Sequence, residues 1–184
     1  MRRLRYEAGR VHAAPLQDRK AAREEGSRLK EDAPAGGANK LEIEREARVE
    51  HVAEFRDFIE DACRRVGADE SVCFDLKLVV DEACSNLVVH GYKGLEPGPI
   101  GVSFACEGDE IVVTITDRAP PFDPKRAPIP NLHAPVSERR PGGLGWHLIR
   151  ELVDRIEYQT DENRGNRLTL VKRFVPRQNP GQES

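Results

Sequence analysis

Long apolar runs and aromatic side chains are scarce in this chain of 184 residues. Aromatic residues make up 5% of it, including a single tryptophan, so the core has to be mainly aliphatic. No apolar run approaches the ~20 residues of a membrane-spanning helix, and the basic start Met1–Arg5 leads into no apolar stretch typical of a secretory signal. We therefore expect a cytoplasmic protein with no membrane partner.

Cysteine is also scarce and lacks metal-binding spacing. Cys63, Cys73, Cys84 and Cys106 form no CxxC pair, and three of the four fall in helical patterns. We interpret them as buried, reduced thiols rather than as metal ligands or disulfide partners.

Charge is divided unevenly along the chain. Residues 1–40 carry ten Lys and Arg against six Asp and Glu, whereas residues 41–184 carry nineteen against twenty-six. The acidic body argues against nucleic-acid binding as the main function. The cationic tail could contact nucleic acid or a membrane, but its few large apolar residues and its closing DAPAGGAN favour a disordered, solubilising tail over residues 1–40.

Apolar periodicity from Leu41 onward predicts one folded domain over residues 41–175, followed by a frayed tail over 176–184. The predicted elements are a short strand at 41–43, helices over 45–66 and from about 70 to 92, a hairpin of 100–106 with 111–116, a helix opened by 142–145, and a hairpin of 156–160 with 167–174. Helices on one face of a mixed, mostly antiparallel sheet give an α+β fold, a two-layer α/β sandwich.

Seven of the thirteen prolines fall between Arg118 and Pro141, where apolar periodicity is almost absent. So long a stretch without regular structure inside a compact domain is commonly a functional lid or a binding loop. We expect residues 118–141 to form a lid.

The second predicted helix carries polar residues on one face. Glu82 and Asn86 are four apart and therefore stack on the same side. His90 continues that row, and Gly91 is a plausible left-handed residue at the end of the helix. A solvated helix face shows such pairs as well, so the pair alone does not indicate a site.

Three features together indicate a nucleotide site. Glu82 and Asn86 can position a nucleophile and supply an oxygen ligand for Mg²⁺. Asp117 ends a predicted strand, where a shielded carboxylate can accept a hydrogen bond from an exocyclic amino group such as that of adenine. The glycines of Gly142–Gly145, at a helix start, allow a phosphate to approach closely. Each feature alone is ambiguous, since Asp at a strand end is usually a turn former and the glycine run is neither a P-loop nor a dinucleotide-binding motif.

The order and spacing of four strings resemble the Bergerat ATP-binding fold. The strings are EACSNLVVHGY (82–92), DRAPPFDP (117–124), GGLG (142–145) and GNRLTL (165–170). They are similar to the N, G1, G2 and closing motifs of that superfamily, which includes sensor histidine kinases and type II topoisomerase ATPase domains. More narrowly, residues 41–174 resemble the anti-sigma factor serine/threonine kinases of bacteria.

The resemblance implies roles for individual residues. Glu82 corresponds to the general base, Asn86 to the Mg²⁺ ligand and Asp117 to the residue that binds the adenine amino group. Thr169 corresponds to a hydroxyl beside the adenine. The glycine run is implied to hold the phosphates of ATP and to hinge the lid; it consists of Gly142, Gly143, Leu144 and Gly145.

Two residues of these motifs, His90 and Ala119, differ from the others in what they imply. His90 matches the family motif, but a histidine at a helix C-terminus is already favoured by the helix dipole, and we assign it no role. Ala119, implied to lie at the adenine site, departs from the usual Asp-x-Gly of the family. Its methyl group restricts the backbone, and Pro120 stiffens the segment further. This departure bears on ATP affinity more than on the fold.

The resemblance implies an ATP- and Mg²⁺-dependent serine/threonine protein kinase that phosphorylates a small antagonist protein and holds a sigma factor inactive. It also implies a homodimer, for which the strand and helix of Leu41–Val66 are the expected surface. The alternative is a noncatalytic module that sequesters a regulatory partner and uses nucleotide, if at all, as a structural ligand. Ala119 and the N-terminal tail motivate that alternative.

Overall fold

The computed structural model describes residues 40–122 and 144–175. Its elements are β1 (Leu41–Glu46), α1 (Val49–Arg65), α2 (Glu70–Asn86), a π-helical turn (Leu87–Gly91), β2 (Pro99–Glu107), β3 (Glu110–Asp117), α3 (Leu144–Leu152), β4 (Arg155–Asp161) and β5 (Gly165–Arg173). The predictions for the basic tail, for most of the lid and for the C-terminal tail lie outside the described residues.

Five strands form one sheet in the order β1-β2-β3-β5-β4. All four pairings are antiparallel, and the described strands contain no parallel pair. The predicted α+β two-layer sandwich is confirmed, while the expected mixture of strand directions is absent from the described sheet. The two predicted hairpins are the β2–β3 and β4–β5 pairs.

Strand alternation separates a covered face of the sheet from an open one. On β3, Ile111, Val113, Ile115 and Asp117 are buried, whereas the residues between them are half-buried. The helices lie over the buried side, where α2 packs against both α1 and α3. The largest fully buried side chains come from both layers: Phe55, Ile59, Leu76, Ile100, Phe104, Ile111, Ile115, Ile149, Ile156 and Leu170.

The first helix begins four residues later than the sequence predicts. Strand β1 continues through Glu46, which pairs with Pro99, and the amide of Ala47 then donates to the carbonyl of Gly98 at 2.8 Å. This pairing to β2 keeps the chain extended where helical periodicity alone suggests a helix. The predicted end of α1 is confirmed, since Gly67 follows it with a φ of 68°.

The second helix starts at Glu70, as predicted, because Asp69 caps it by accepting from the amide of Val72 at 2.9 Å. Its end is different. The prediction of a left-handed Gly91 is wrong, because Gly91 belongs to the π-helical turn, which the amide of Tyr92 closes onto the carbonyl of Leu87 at 2.9 Å. Such a turn holds one residue more than an α-turn and is frequent at functional sites. None of the described helices is long and apolar enough to cross a membrane.

Gly165 brings β5 against the end of β3. Its φ is +82°, and a Cβ at this position would overlap the carbonyl oxygen of Asp117. Gly108, in the β2–β3 turn, has a similar φ of +64°, but a Cβ there would have no neighbour within 4 Å. The two glycines therefore share a backbone conformation and differ in their surroundings.

This difference predicts unequal costs of adding a methyl group. Gly108→Ala should lower the free energy of unfolding by about 1–2 kcal/mol, the cost of a left-handed alanine. Gly165→Ala should cost at least about 2 kcal/mol more, because β5 also has to move away from Asp117. Urea unfolding of both variants measures the difference, and equal losses would contradict the close contact at Gly165.

Candidate functional site

Glu82 and Asn86 are in contact on the surface of α2. The Nδ2 group of Asn86 donates to Oε1 of Glu82 at 2.9 Å, and both side chains are half-buried. A carboxylate only accepts hydrogen bonds, so Asn86 has to present its amino group to Glu82. Its carbonyl oxygen accepts no hydrogen bond from the described residues and can serve as an oxygen ligand.

Gly145 lies directly against the carboxylate of Glu82. A Cβ at Gly145 would overlap Oε1 of Glu82, so only glycine fits here without displacing that side chain. Gly145 is in the first turn of α3, whose N-terminal end therefore meets Glu82. Positive partial charge at a helix N-terminus favours a carboxylate or a phosphate beside it. The predicted residues Gly142 and Gly143 lie outside the described residues, and Leu144 begins α3.

Asp117 is a buried carboxylate at the end of β3, 7% exposed and on the covered side of the sheet. Its Oδ1 accepts from the amide of Ala119 and from Nδ2 of Asn166, both at 2.8 Å. Burial raises the pKa of Asp117, and these two hydrogen bonds oppose that rise. No donor of the described residues lies on Oδ2, which can therefore accept a hydrogen bond from a ligand.

The β5 residue that meets Asp117 is Asn166, a residue for which the sequence suggested no role. Asn166 is directly opposite Asp117 in the strand register, whereas Thr169 is opposite Thr114. Since Thr169 is three positions from Asn166, alternation places it on the open face of the sheet. The prediction that Thr169 shares a site with Asp117 is therefore wrong. Strand register could have identified Asn166, but the sequence gives that register only approximately.

Asp117 lies on the same side of the sheet as α2. The methyl group of Ala119 faces Gly91, where an added Cβ would be 3.3 Å from it. Burial raises the pKa of the Cys84 thiol on the inner face of α2, and the charges of Asp81 and Asp117 raise it further. The structure thus places Asp117, Glu82 and Asn86 around the C-terminal half of one helix.

Tyr92 ties the end of this helical segment to the sheet. Its hydroxyl accepts from the amide of Arg118 at 2.9 Å and donates to the carbonyl of Pro99 at 3.0 Å. Gly98 makes room for the ring, because a Cβ there would lie 2.5 Å from Cε1 of Tyr92. The HGY string therefore acts through Gly91 and Tyr92, whereas His90 is exposed.

The first described residues of the predicted lid rest on α3 and β4. Phe122 stacks on Trp146 with ring centroids 5.5 Å apart, and its amide donates to the hydroxyl of Tyr158 at 3.1 Å. Because Trp146 follows Gly145, this contact brings the start of the segment beside the glycine that touches Glu82.

The oxygen atoms of Asn86 and Glu82 suit a magnesium ion that is held mainly by a nucleotide. The described residues contain no group of three or more His, Cys, Asp or Glu side chains that could enclose a metal ion. Mg²⁺ usually takes few protein oxygens and completes its shell with phosphate oxygens and water. The amide oxygen of Asn86, beside Glu82, suits that mode of binding.

A separate surface depression of about 590 Å³ lies between β1, α1 and the turn before β2. Its walls consist of Glu44, Arg45, Glu46, His51, Pro97, Gly98 and Pro99. It contains none of the site residues predicted from the sequence.

Comparison with known proteins identifies the same family as the sequence motifs do. The profile of the histidine kinase-like ATPase domain matches residues 45–172. The serine-protein kinase RsbW of Bacillus pumilus is 32% identical over 139 residues, 72% of this chain and 84% of that protein. RsbW of Halalkalibacterium halodurans is 32% identical over 126 residues, 66% of this chain and 76% of that protein.

The fold also resembles a crystal structure of the RsbU and RsbW domains of a Mycobacterium tuberculosis protein. The TM-score is 0.52 at 23% sequence identity, with 73% of this chain covered. This chain spans 32% of that longer one.

The buried carboxylate predicts a pH-dependent stability difference. Because burial raises the pKa of Asp117, holding it ionised at neutral pH costs folding free energy. Asp117→Asn keeps an oxygen for both donors and removes the charge, so its melting temperature at neutral pH should exceed that of the wild type. The difference should shrink as the pH falls through the raised pKa, where the wild-type carboxyl also becomes neutral.

Thermal unfolding followed by circular dichroism over a series of pH values measures this effect. The control Asp117→Ala removes the oxygen shared by Ala119 and Asn166 and should be less stable than the wild type at every pH. An Asp117→Asn variant that melts below the wild type at neutral pH would contradict the argument.

Proposed function

Because this chain belongs to the histidine kinase-like ATPase domain family, and within it to the relatives of the serine-protein kinase RsbW, we propose that it binds ATP with Mg²⁺ and phosphorylates serine on a protein. The observation that carries the proposal is the contact of Glu82 with Asn86 and Gly145 in the helical layer, on the side of the sheet toward which Asp117 is buried. This reaction needs a general base, an oxygen ligand for the metal, a helix start that binds phosphate and a carboxylate that recognises adenine.

Asp117 recognises the adenine. Its open oxygen, Oδ2, accepts a hydrogen bond from the exocyclic amino group of the base, in a position shielded from water by burial. The backbone of Ala119 lines this end of the site through its bond to Asp117.

Glu82, Asn86 and the start of α3 act at the phosphate end. When bound here, ATP would supply the γ-phosphoryl group, and Mg²⁺ would neutralise part of the charge of its phosphates. Gly145, together with Gly142, Gly143 and Leu144, lets the backbone approach those phosphates. Asn86 offers its amide oxygen to the metal. Glu82 would accept the proton of the serine hydroxyl as the serine oxygen bonds to the γ-phosphorus; the bond from that phosphorus to the bridging oxygen then breaks and ADP leaves.

The partners follow from family membership. We infer that the protein substrate is a small antagonist of an anti-sigma factor and that this chain sequesters a sigma factor. A homodimer through Leu41–Val66 is part of the same proposal. The described structure contributes one relevant feature, which is that β1 is an edge strand of the sheet with Glu42, Glu44 and Glu46 exposed.

The kinase is preferred to a purely sequestering module because of the setting of Ala119. Its side chain is 6% exposed and forms part of the hydrophobic core. Its methyl group faces Gly91, which has no side chain to meet it. The departure from Asp-x-Gly is thus accommodated inside the protein, and this removes the main reason to expect weak ATP binding.

Replacing the base tests catalysis directly. Glu82→Gln preserves the size of the side chain and removes its proton affinity, so transfer of labelled γ-phosphate to an antagonist protein should fall by about 10²–10⁴-fold. Affinity for ATP·Mg²⁺, measured by isothermal titration, should change much less. Glu70→Gln, an exposed change at the start of the same helix, serves as the control and should retain the wild-type rate. A wild type that binds ATP and transfers no phosphate would leave the sequestering module as the function.

Gly145 predicts a second kinetic effect. In Gly145→Ala the new methyl group displaces the carboxylate of Glu82 and separates it from Asn86, so the transfer rate should fall by ~10²-fold. Stability should not fall by more than about 1 kcal/mol, since alanine is the better helix former and the displaced carboxylate is flexible. In a Glu82→Gln background, Gly145→Ala should have a much smaller effect on the rate, because the base is already absent. Additive losses would show that Gly145 acts independently of Glu82.

A further inference from the structure

Two polar side chains, apart from those of tyrosine and cysteine, are buried in the described part of the chain, and they are bonded to each other. They are Asp117, 7% exposed, and Asn166, 3% exposed. Burying an amide costs free energy unless its polar groups are paired, so the position of Asn166 requires a reason.

Asn166 uses one nitrogen to hold two acceptors. Its Nδ2 donates to Oδ1 of Asp117 and to the carbonyl oxygen of Ala119, each at 2.8 Å. The amide of Ala119 in turn donates to the same Oδ1 at 2.8 Å. These three bonds form a closed unit, the 117–119–166 corner, which fixes both the carboxylate plane and the chain leaving β3.

The amino group of Asn166 makes both bonds from this position. An amino group offers two N–H donors in one plane, whereas a hydroxyl offers one and a carboxylate offers none. Gly165 places Asn166 close enough, since a larger residue there would meet the carbonyl oxygen of Asp117. The β5 backbone at Gly165 and the side chain of Asn166 therefore both contact the end of β3.

Within the described part of the chain, Oδ1 of Asp117 accepts two hydrogen bonds and Oδ2 accepts none. With Oδ1 occupied by two donors, Oδ2 is held in a fixed direction and can accept from a ligand. Adenine has an amino group at the position where guanine has a carbonyl oxygen. A fixed carboxylate oxygen binds the first and repels the second, whereas a freely rotating one discriminates less.

We infer that Asn166 is the positioning residue for nucleobase specificity, which holds Asp117 so that it selects an amino-substituted purine without itself touching the base. The inference rests on the proposed ATP binding. It assigns to Asn166 a role in discrimination between bases, separate from any contribution to folding.

The test compares nucleotides that differ at the recognised group. Isothermal titration of the full chain with Mg²⁺ would use ATP and purine riboside 5′-triphosphate, which lacks the amino group. The wild type should prefer ATP by about 10–10²-fold, the value of one hydrogen bond to a charged group. Asn166→Leu, similar in size but without donors, should lose most of that preference, through weaker binding of ATP and nearly unchanged binding of the other nucleotide.

Three further variants make the outcome specific. Asn166→Thr keeps one donor and should show an intermediate preference, and it also serves if the leucine variant fails to fold. Asn166→Asp places a second carboxylate against Asp117 and should lose the preference as well. Thr169→Val, on the same strand but on the open face, is the matched control and should keep the wild-type preference.

Each result separates the inference from the proposed function. Equal loss of affinity for both nucleotides in the Asn166 variants would assign Asn166 a structural role and overturn the inference alone. An unchanged preference in them would overturn it too. A wild type that binds neither nucleotide would overturn the proposed ATP binding and the inference together.

Discussion

A carboxylate buried at the end of a central strand must be hydrogen-bonded, and this requirement at Asp117 organises one end of the molecule. Its Oδ1 is met by the amide of Ala119 and by Asn166, and a hydrogen bond to a charged group contributes roughly 1.5–3 kcal/mol. Gly165 allows β5 to come close enough for that contact. The strand register, the left-handed conformation of Gly165 and the side chain of Asn166 therefore all serve to pair Asp117, whose charge lies in a poorly solvated position.

Two kinds of residue join the helical layer to the same end of the sheet. Glycines allow close packing, and Tyr92 makes hydrogen bonds to the sheet. The absence of a side chain at Gly91 leaves room for the methyl group of Ala119. The hydroxyl of Tyr92 reaches from the helical segment to the sheet, where it bonds the amide of Arg118 and the carbonyl of Pro99. The absence of a side chain at Gly145 of α3 leaves room for the carboxylate of Glu82 on α2. The end of β3, through Ala119, and the start of α3, through Gly145, are thus both packed against the same helical segment, which fixes the separation between the carboxylates of Asp117 and Glu82.

Much of this arrangement could be predicted from the sequence, because its signals are local. The spacing of Glu82 and Asn86 gives their common face, and glycine at position 67 gives the end of α1. The fold class follows from the sequence of helical and strand patterns. Resemblance to a known family supplied the connection between distant motifs that periodicity alone could not provide.

The remaining features depend on interactions between distant segments. The partner of Asp117 on β5 depends on the strand register, which is not readable from the sequence. The resemblance points to Thr169 as the residue beside the adenine, but Thr169 is three residues from Asn166 and lies on the opposite face of the sheet. Strand β1 overrides the helical pattern at Arg45 because pairing with β2 satisfies its backbone. The π-helical turn also leaves no local signal, since the residues of Leu87–Gly91 suit an ordinary helix equally well.

That turn gives the chain an unusual sensitivity to length. Removing a single residue between Leu87 and Gly91 would let an uninterrupted α-helix form, with regular bonding and no loss of helix propensity. It would also rotate everything that follows by about 100° relative to Glu82, and Tyr92 would then miss both of its backbone partners. Substitutions of the exposed residues Val89 and His90 keep this spacing, whereas a one-codon deletion would displace Tyr92 from its partners while leaving the helix itself intact.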